Sequence, residues 1–236
     1  MPVRVEAAVE TVEAAVLAAR AGVDRLELCA DLKVGGTTPR LALVKEVCAA
    51  TALPVYVMVR PRGGDFTYTA DEIPLMARTI EVMRATPCAG IVTGVIDSRP
   101  IVQLEQLHLL GGSGLRVRAR VHLEQMRTLL SAAGDLPVTF HRAFDAVNDQ
   151  WGALEDLGKL GVRRILTSGG ASSAADGANR IATLVQRGGE RITIIAGGGV
   201  RAHNVREIIT QTGVREVHAR FESEDQMRRL VEAARG

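Results

Sequence analysis

Lysine is almost missing from this chain of 236 residues. Lys33, Lys45 and Lys159 are the only ones, and the basic side is otherwise arginine. Schiff-base chemistry is thereby disfavoured, since only Lys33, in a glycine-rich loop, is near a place where substrate could be held. Aromatics are also scarce, at one Trp, two Tyr and four Phe. With a net charge of only +2 and no basic stripe interleaved with rings, nothing here has the footprint of a nucleic-acid binder. Cys29, Cys48 and Cys88 are odd in number and widely spaced, without a CxxC, which speaks for reduced thiols and against a disulfide framework. No apolar run approaches the ~18 residues of a membrane span. Met1-Pro2-Val3-Arg4-Val5-Glu6 has no signal-peptide core, so the expected location is the cytoplasm, without a membrane partner.

What the chain has in quantity is a repeated strand-then-helix unit. Period-2 apolar patterns predict strands at Val3–Ala8, Arg25–Ala30, Val55–Arg60, Gly90–Ile96, Pro137–His141, Arg164–Ser168, Ile192–Ala196 and Glu216–His218. Helical spacing falls between them, near Thr11–Ala21, Leu41–Ala50, Asp71–Arg84, Leu123–Ala133, Trp151–Leu160 and Ala175–Arg187, from Asn204 onward, and at Glu224–Ala234. Eight such units in one compact length predict an α/β fold, a single-domain TIM (β/α)8 barrel over residues 1–236. An open doubly wound sheet is the competing architecture, but no GxGxxG follows the first strand. One stretch fits poorly. Asp97–Val121, carrying Gly111-Gly112-Ser113-Gly114 and Arg116, Arg118 and Arg120, is long for a βα connection. Residues 98–120 therefore read as an insertion after the fourth strand, either a solvated loop or a lid over the barrel mouth.

Strand alternation sorts side chains between the helix ring and the barrel interior. With the apolar set facing the helices, the interior receives Arg4, Glu6, Ala8, Glu27, Cys29, Tyr56, Met58, Arg60, Thr139, His141, Leu166, Ser168, Glu216 and His218. Burying carboxylates, an arginine and imidazoles together costs several kcal/mol unless they pair with each other or with a ligand. Each has a structural explanation too: Glu27 and Arg60 could pair as a bridge, and His141 could be a satisfied core histidine. Arg142 and Asp145 could fix the His141 tautomer or form a separate pair.

The third strand runs into Arg60-Pro61-Arg62-Gly63-Gly64-Asp65-Phe66, where Pro61 ends the ladder and leaves two arginines and an aspartate at the strand's carboxyl end. That is the end at which parallel barrels hold ligands. Thr167-Ser168-Gly169-Gly170 and Ala196-Gly197-Gly198-Gly199 follow the sixth and seventh strands, and their bare backbone suits an anionic group.

Glu27-Leu28-Cys29-Ala30, Gly35-Gly36-Thr37-Thr38-Pro39, the Arg60–Phe66 run, Thr139-Phe140-His141-Arg142-Ala143-Phe144-Asp145 and Leu166-Thr167-Ser168-Gly169 together resemble the CutC family, named for copper homeostasis. The resemblance extends to about His218 with a break in the middle. It implies a cytoplasmic TIM barrel, usually a homo-oligomer, assigned to copper tolerance and proposed to bind Cu(I). It implies no reaction. The chain departs from the family in three places: Ala8 stands where members often carry a first-strand cysteine, 98–120 is longer, and Ala219-Arg220-Phe221 leads almost directly into the last helix.

Two functions follow. In the first, Cu(I) is held by Cys29 with Met58, His141 or His218, thiolate being what selects Cu(I) over commoner metals. In the second, the barrel mouth takes a small anionic metabolite, phosphorylated or carboxylate. Arg60 and Arg62 would clamp it, with Asp65, Arg142, Thr167, Ser168, Gly198 and Gly199 around it. Glu27 or His141 would move a proton, with Asp145 orienting the imidazole.

Overall fold

The computed structural model describes residues 2–100 and 117–236. Its elements, in chain order, are β1 (Arg4–Val9), α1 (Val12–Arg20), β2 (Arg25–Leu28), α2 (Leu41–Ala50), β3 (Val55–Met58), α3 (Glu72–Arg84), β4 (Gly90–Thr93), β5 (Ile96–Pro100), β6 (Val117–Val121), α4 (Leu123–Ala133), β7 (Val138–Phe140), α5 (Gln150–Lys159), β8 (Arg164–Thr167), α6 (Ala178–Gly188), β9 (Thr193–Gly197), α7 (Val205–Thr212), β10 (Glu216–Arg220) and α8 (Glu224–Arg235). Eight strands close into a parallel barrel in the order β1-β10-β9-β8-β7-β4-β3-β2, and β5 and β6 form a separate two-stranded sheet. The fold is the TIM barrel that the alternating pattern predicts.

The strand faces explain the closure. Val5, Ala7, Leu26, Leu28, Val57, Ile91, Phe140, Ile165, Ile194 and Val217 are buried in one continuous core with the helices. Each such side chain removed from water stabilises the fold by roughly 1.5–3 kcal/mol. The alternate residues turn inward, and there the apolar cluster is small: Cys29, Tyr56, Met58 and Val92. The helices meet the barrel through one stripe, as in α8, where Met227, Leu230, Val231 and Ala234 are buried at i, i+3, i+4 and i+7 spacing. Thr11, Asp149 and Ser223 accept backbone N–H groups at the starts of α1, α5 and α8.

Two strand ends differ from the sequence pattern. β3 stops at Met58 because the Arg60 N–H donates to the Thr38 hydroxyl rather than to a neighbouring strand. β4 stops at Thr93, and Ile96 already belongs to the antiparallel pair with β6, in which Ile96 faces Val121 and Asp97 faces Arg120. The two ends of the 98–120 insertion therefore pair as antiparallel strands. Its base is tied down by Ile96 N–H to the Phe66 carbonyl and His122 N–H to the Val95 carbonyl. The lid reading concerns residues 101–116, which lie outside the described residues.

Candidate functional site

The interior is built in tiers from charged pairs upward. At the base, Arg25 donates to Glu6 and, at 2.8 Å, to Glu216. Arg164 donates to both Glu216 oxygens and to the Thr139 hydroxyl. The guanidinium carbons of Arg25 and Arg164 lie 5.1 and 5.4 Å from the Tyr56 ring centre, so the aromatic face also meets both cations. Burial would raise the Glu6 and Glu216 carboxyls. The His218 hydrogen bond and the two arginines overcome that for Glu6, holding it at about 2, and Arg164 and Arg25 hold Glu216 low. Arg25 and Arg164 were missed in the sequence, although each stands two residues before an inward-facing position, Glu27 or Leu166.

One tier up, His218 Nδ1 lies 2.8 Å from Glu6 Oε1 and its Nε2 lies 3.9 Å from Glu27 Oε1. Burial alone would disfavour the imidazolium, but Glu27 and Glu6 hold the His218 pKa above its ordinary value. Glu27 is raised, first by burial and then by the Glu6 charge. Cys29 donates its S–H to Glu27 Oε1 at 3.3 Å, and burial together with that carboxylate pushes the thiol well above the ordinary range.

At the carboxyl end of β3, Arg60 is buried and bonded to backbone. It donates to the carbonyls of Val34, Gly36 and Gly64 and stacks over Phe66 at 4.6 Å. The bridge to Glu27 is therefore not formed; three carbonyls converging from two loops take its place. His141 follows β7 as the cap of a short helical turn, and its Nδ1 accepts the Ala143 N–H at 3.2 Å. Burial and the Arg60 charge push its pKa down to about 3. The ring is therefore neutral at physiological pH, with its proton on Nε2.

Asp145 is not on His141. It accepts from Arg142 Nε at 2.7 Å, from the Thr167 hydroxyl, and from the Ser168 and Gly170 N–H groups at 2.9 and 3.1 Å. The Arg142–Asp145 pair thus fastens the loop after β8, while the His141 tautomer is set by backbone. Arg62 turns outward. It pairs with Glu72 at 2.7 Å and Asp65 at 3.0 Å and packs over Tyr68, so neither Arg62 nor Asp65 faces the barrel mouth.

These walls enclose a cavity of about 650 Å³ at the carboxyl ends of the strands. Glu27, Met58, Arg60, His141 and His218 line its floor and sides, and Arg142, Gly198, Gly199, Arg201 and Arg220 its rim. Gly198 and Gly199 adopt φ of 103° and 71°, a conformation that keeps side chains off this rim. The short β10–α8 connection, residues 221–223, adds no cover. Among the described residues, Glu27 Oε2 and His141 Nε2, two buried side-chain atoms of lining residues, have no hydrogen-bond partner.

The donors fit Cu(I) poorly. Among the described residues, the group of three ligand atoms within 4.8 Å of one another is Glu6, Glu27 and His218, which is oxygen-rich and suits hard cations. The set Cys29, His141 and His218 is not gathered in that way. Cys29 does share its apolar cluster with Met58 but does not line the cavity. No helix among the described residues is long and apolar enough to cross a membrane.

A closed parallel barrel with an ionic base and an arginine-rimmed cavity at its carboxyl mouth is a TIM-barrel protein with a ligand-sized pocket. The chain belongs to the CutC family, whose model matches residues 3–113 and 109–223. The family protein CutC of Xylella fastidiosa is 39% identical over 225 residues, which cover 95% of this chain and 77% of that one. The one of Caulobacter vibrioides is 40% identical over 219 residues, covering 93% and 81%. The crystal structure of CutC from Streptococcus agalactiae, to which a copper-homeostasis role is attributed, is 30% identical and superposes with a TM-score of 0.78 over 92% of this chain and 97% of that one. Phosphoribosyl anthranilate isomerase from Thermococcus kodakaraensis, 16% identical with a TM-score of 0.64 over 99% of both chains, shares the fold alone.

Proposed function

We propose that the barrel mouth binds a small anionic metabolite, phosphorylated or carboxylate. The observation that carries this reading is that Glu27 and His141, which line one cavity with Arg60, each keep a buried polar atom, Oε2 and Nε2, without a hydrogen-bond partner among the described residues. A buried polar atom without a partner costs about 1–3 kcal/mol, and a bound polar ligand relieves that cost. The rim contributes Arg142, Arg201 and Arg220, which pair with Asp145, Glu222 and Glu10 and whose remaining N–H groups can meet an anion. A volume of about 650 Å³ suits a metabolite rather than a bare ion.

Copper binding is the second reading. The role attributed to the Streptococcus agalactiae relative supports it, as does the shared cluster of Cys29 and Met58. A thiol that donates to a carboxylate and resists ionisation opposes it. In this reading copper is cargo, and Cys29 would have to give its proton up to Glu27. A cytoplasmic location and a homo-oligomeric assembly belong to the same family-based proposal, and light scattering on purified protein tests the assembly.

Titration calorimetry with inorganic phosphate, 3-phosphoglycerate and citrate tests the first reading. Binding in the micromolar to millimolar range is expected, weakened about tenfold or more in Arg220→Ala, the loss of one charge-assisted contact. No heat with any of the three, beside one Cu(I) per chain bound against a competing chelator and lost in Cys29→Ser, would replace it with the second.

A further inference from the structure

We propose that the cavity catalyses proton transfer at a carbon next to a carbonyl, with Glu27 as the base and His141 as the neutral donor to the carbonyl oxygen, on a small hydroxy-carbonyl compound carrying an anionic group. This rests on the reading of the cavity as an anionic-metabolite site. Glu27 stands on β2, and His141 follows β7, three places away around the barrel through β3 and β4. The two side chains therefore enter the same cavity from different walls, as a base and an electrophile must if substrate is to lie between them. Each carries a buried atom with no hydrogen-bond partner among the described residues, Oε2 of the one and Nε2 of the other.

The chemistry each atom can perform is fixed by its surroundings. Because the Ala143 N–H occupies Nδ1, His141 has its single proton on Nε2 and can only donate there. The Arg60 cation beside it opposes a second proton, so the ring polarises a carbonyl without transferring a full charge to it. A neutral imidazole on the oxygen and a carboxylate on the C–H are the division of labour that enolisation needs. His218, anchored by Glu6, is a positioning residue: its Nε2 lies 3.9 Å from Glu27 Oε1, the oxygen that also accepts from Cys29. No lysine lines the cavity among the described residues, so the carbonyl is not captured as an imine.

The step balances without an oxidant or a cofactor. The Glu27 carboxylate takes the proton from the carbon, the C–H electron pair becomes the carbon–carbon double bond, and the carbonyl π pair moves onto oxygen. That oxygen is held by the His141 Nε2–H. The protonated Glu27 then returns its proton, or one exchanged with solvent, to the same carbon, and the oxygen's electron pair re-forms the carbonyl. The outcome is exchange of that carbon-bound proton with solvent.

The test is proton NMR in deuterium oxide with dihydroxyacetone phosphate, ribulose 5-phosphate, fructose 6-phosphate and glucuronate, binding being followed in the same samples by saturation transfer. For at least one probe that binds, the carbon-bound proton adjacent to the carbonyl is expected to exchange faster than in the buffer blank. At saturating probe, Glu27→Gln should lose about 100-fold or more of the exchange, the usual contribution of a general base. His141→Gln, which keeps an N–H donor, should retain more exchange than His141→Ala. Probes that bind yet exchange no faster than the blank overturn the proposal and leave the anion-binding reading standing. An exchange rate unchanged in Glu27→Gln overturns the assignment of the base. If no probe binds, the anion-binding reading fails, and this proposal fails with it.

Discussion

The imidazole of His218 spans two buried carboxylates, with Nδ1 2.8 Å from Glu6 Oε1 and Nε2 3.9 Å from Glu27 Oε1. Because its folded pKa is raised above 6.5, its stabilisation is fully present below that value and is lost as pH rises through the raised one. Glu27, also raised, acts in the same direction from a lower starting pH, whereas Glu6, held at about 2, stabilises above the ordinary carboxylate range and fails only as pH falls toward 2. The charged groups facing the ring are Glu6, Glu27 and Arg25. Urea unfolding should therefore show stability declining from neutral into alkaline pH. His218→Gln should cost about 1.5–3 kcal/mol at pH 6, the worth of a hydrogen bond to a charged group, and less at pH 9. An equal cost at both pH values would mean that the ring is neutral in the fold.

Glu216 is the shared partner of Arg25 and Arg164, at the amino-terminal end of β10 and away from the mouth. Glu216→Gln should leave two buried guanidiniums undercompensated and destabilise the protein by about 3–5 kcal/mol, the usual cost of breaking a buried pair from one side. Glu216→Gln combined with Arg164→Met should recover part of that loss in denaturant titrations. Affinity at the mouth should stay within about twofold while the variant is folded, since the tiers are separate.

Gly94 is where His141 needs room. A Cβ there would lie 2.7 Å from His141 Nδ1 and 2.8 Å from Cε1, closer than side chains tolerate. Gly94→Ala should displace the ring from the Ala143 N–H, cost about 1–3 kcal/mol as overpacking does, and abolish ligand binding. Nitrogen-15 NMR would report the loss of the single-tautomer pattern. A variant with wild-type imidazole shifts would show that the loop yields instead.

The architecture was legible because the period-2 and helical patterns are strong, and inward-facing residues such as Glu6, Glu27 and His218 could be placed by alternation alone. What alternation could not tell was whom each side chain would meet. Arg60 was expected to pair with Glu27 or clamp an anion, but the loop carrying Val34 and Gly36 folds back to offer carbonyls, a contact 24 to 26 residues distant that no spacing rule encodes. Arg62 shares the same run, yet Pro61 ends the strand, and the turn that follows sends Arg62 to Glu72. Arg25 and Arg164 escaped notice because strand-initial arginines look like solvated ends until the closed barrel brings Glu6 and Glu216 between them.

Asp145 is the strongest constraint on the loop after β8. Its carboxylate gathers Arg142, the Thr167 hydroxyl and the N–H groups of Ser168 and Gly170, and Arg142 in turn donates to Ser168 Oγ at 2.9 Å. Asp145→Ala strips acceptors from these N–H groups at once and should cost about 2–4 kcal/mol. The damage should stay local, because Ile165 and Leu166 remain paired with β9. Hydrogen exchange should accelerate at Ser168 and Gly170 while the β8 amides stay protected. Ligand affinity should fall with it, since the loop adjoins the rim: a Cβ on Gly198 would lie 3.2 Å from Ser168 Cβ and 3.3 Å from Arg142 Cζ. Unchanged exchange at Ser168 would mean that the loop is held by its other contacts, such as the Ser168 hydroxyl to the Ala171 carbonyl at 2.6 Å, and that Asp145 serves chiefly to restrain Arg142.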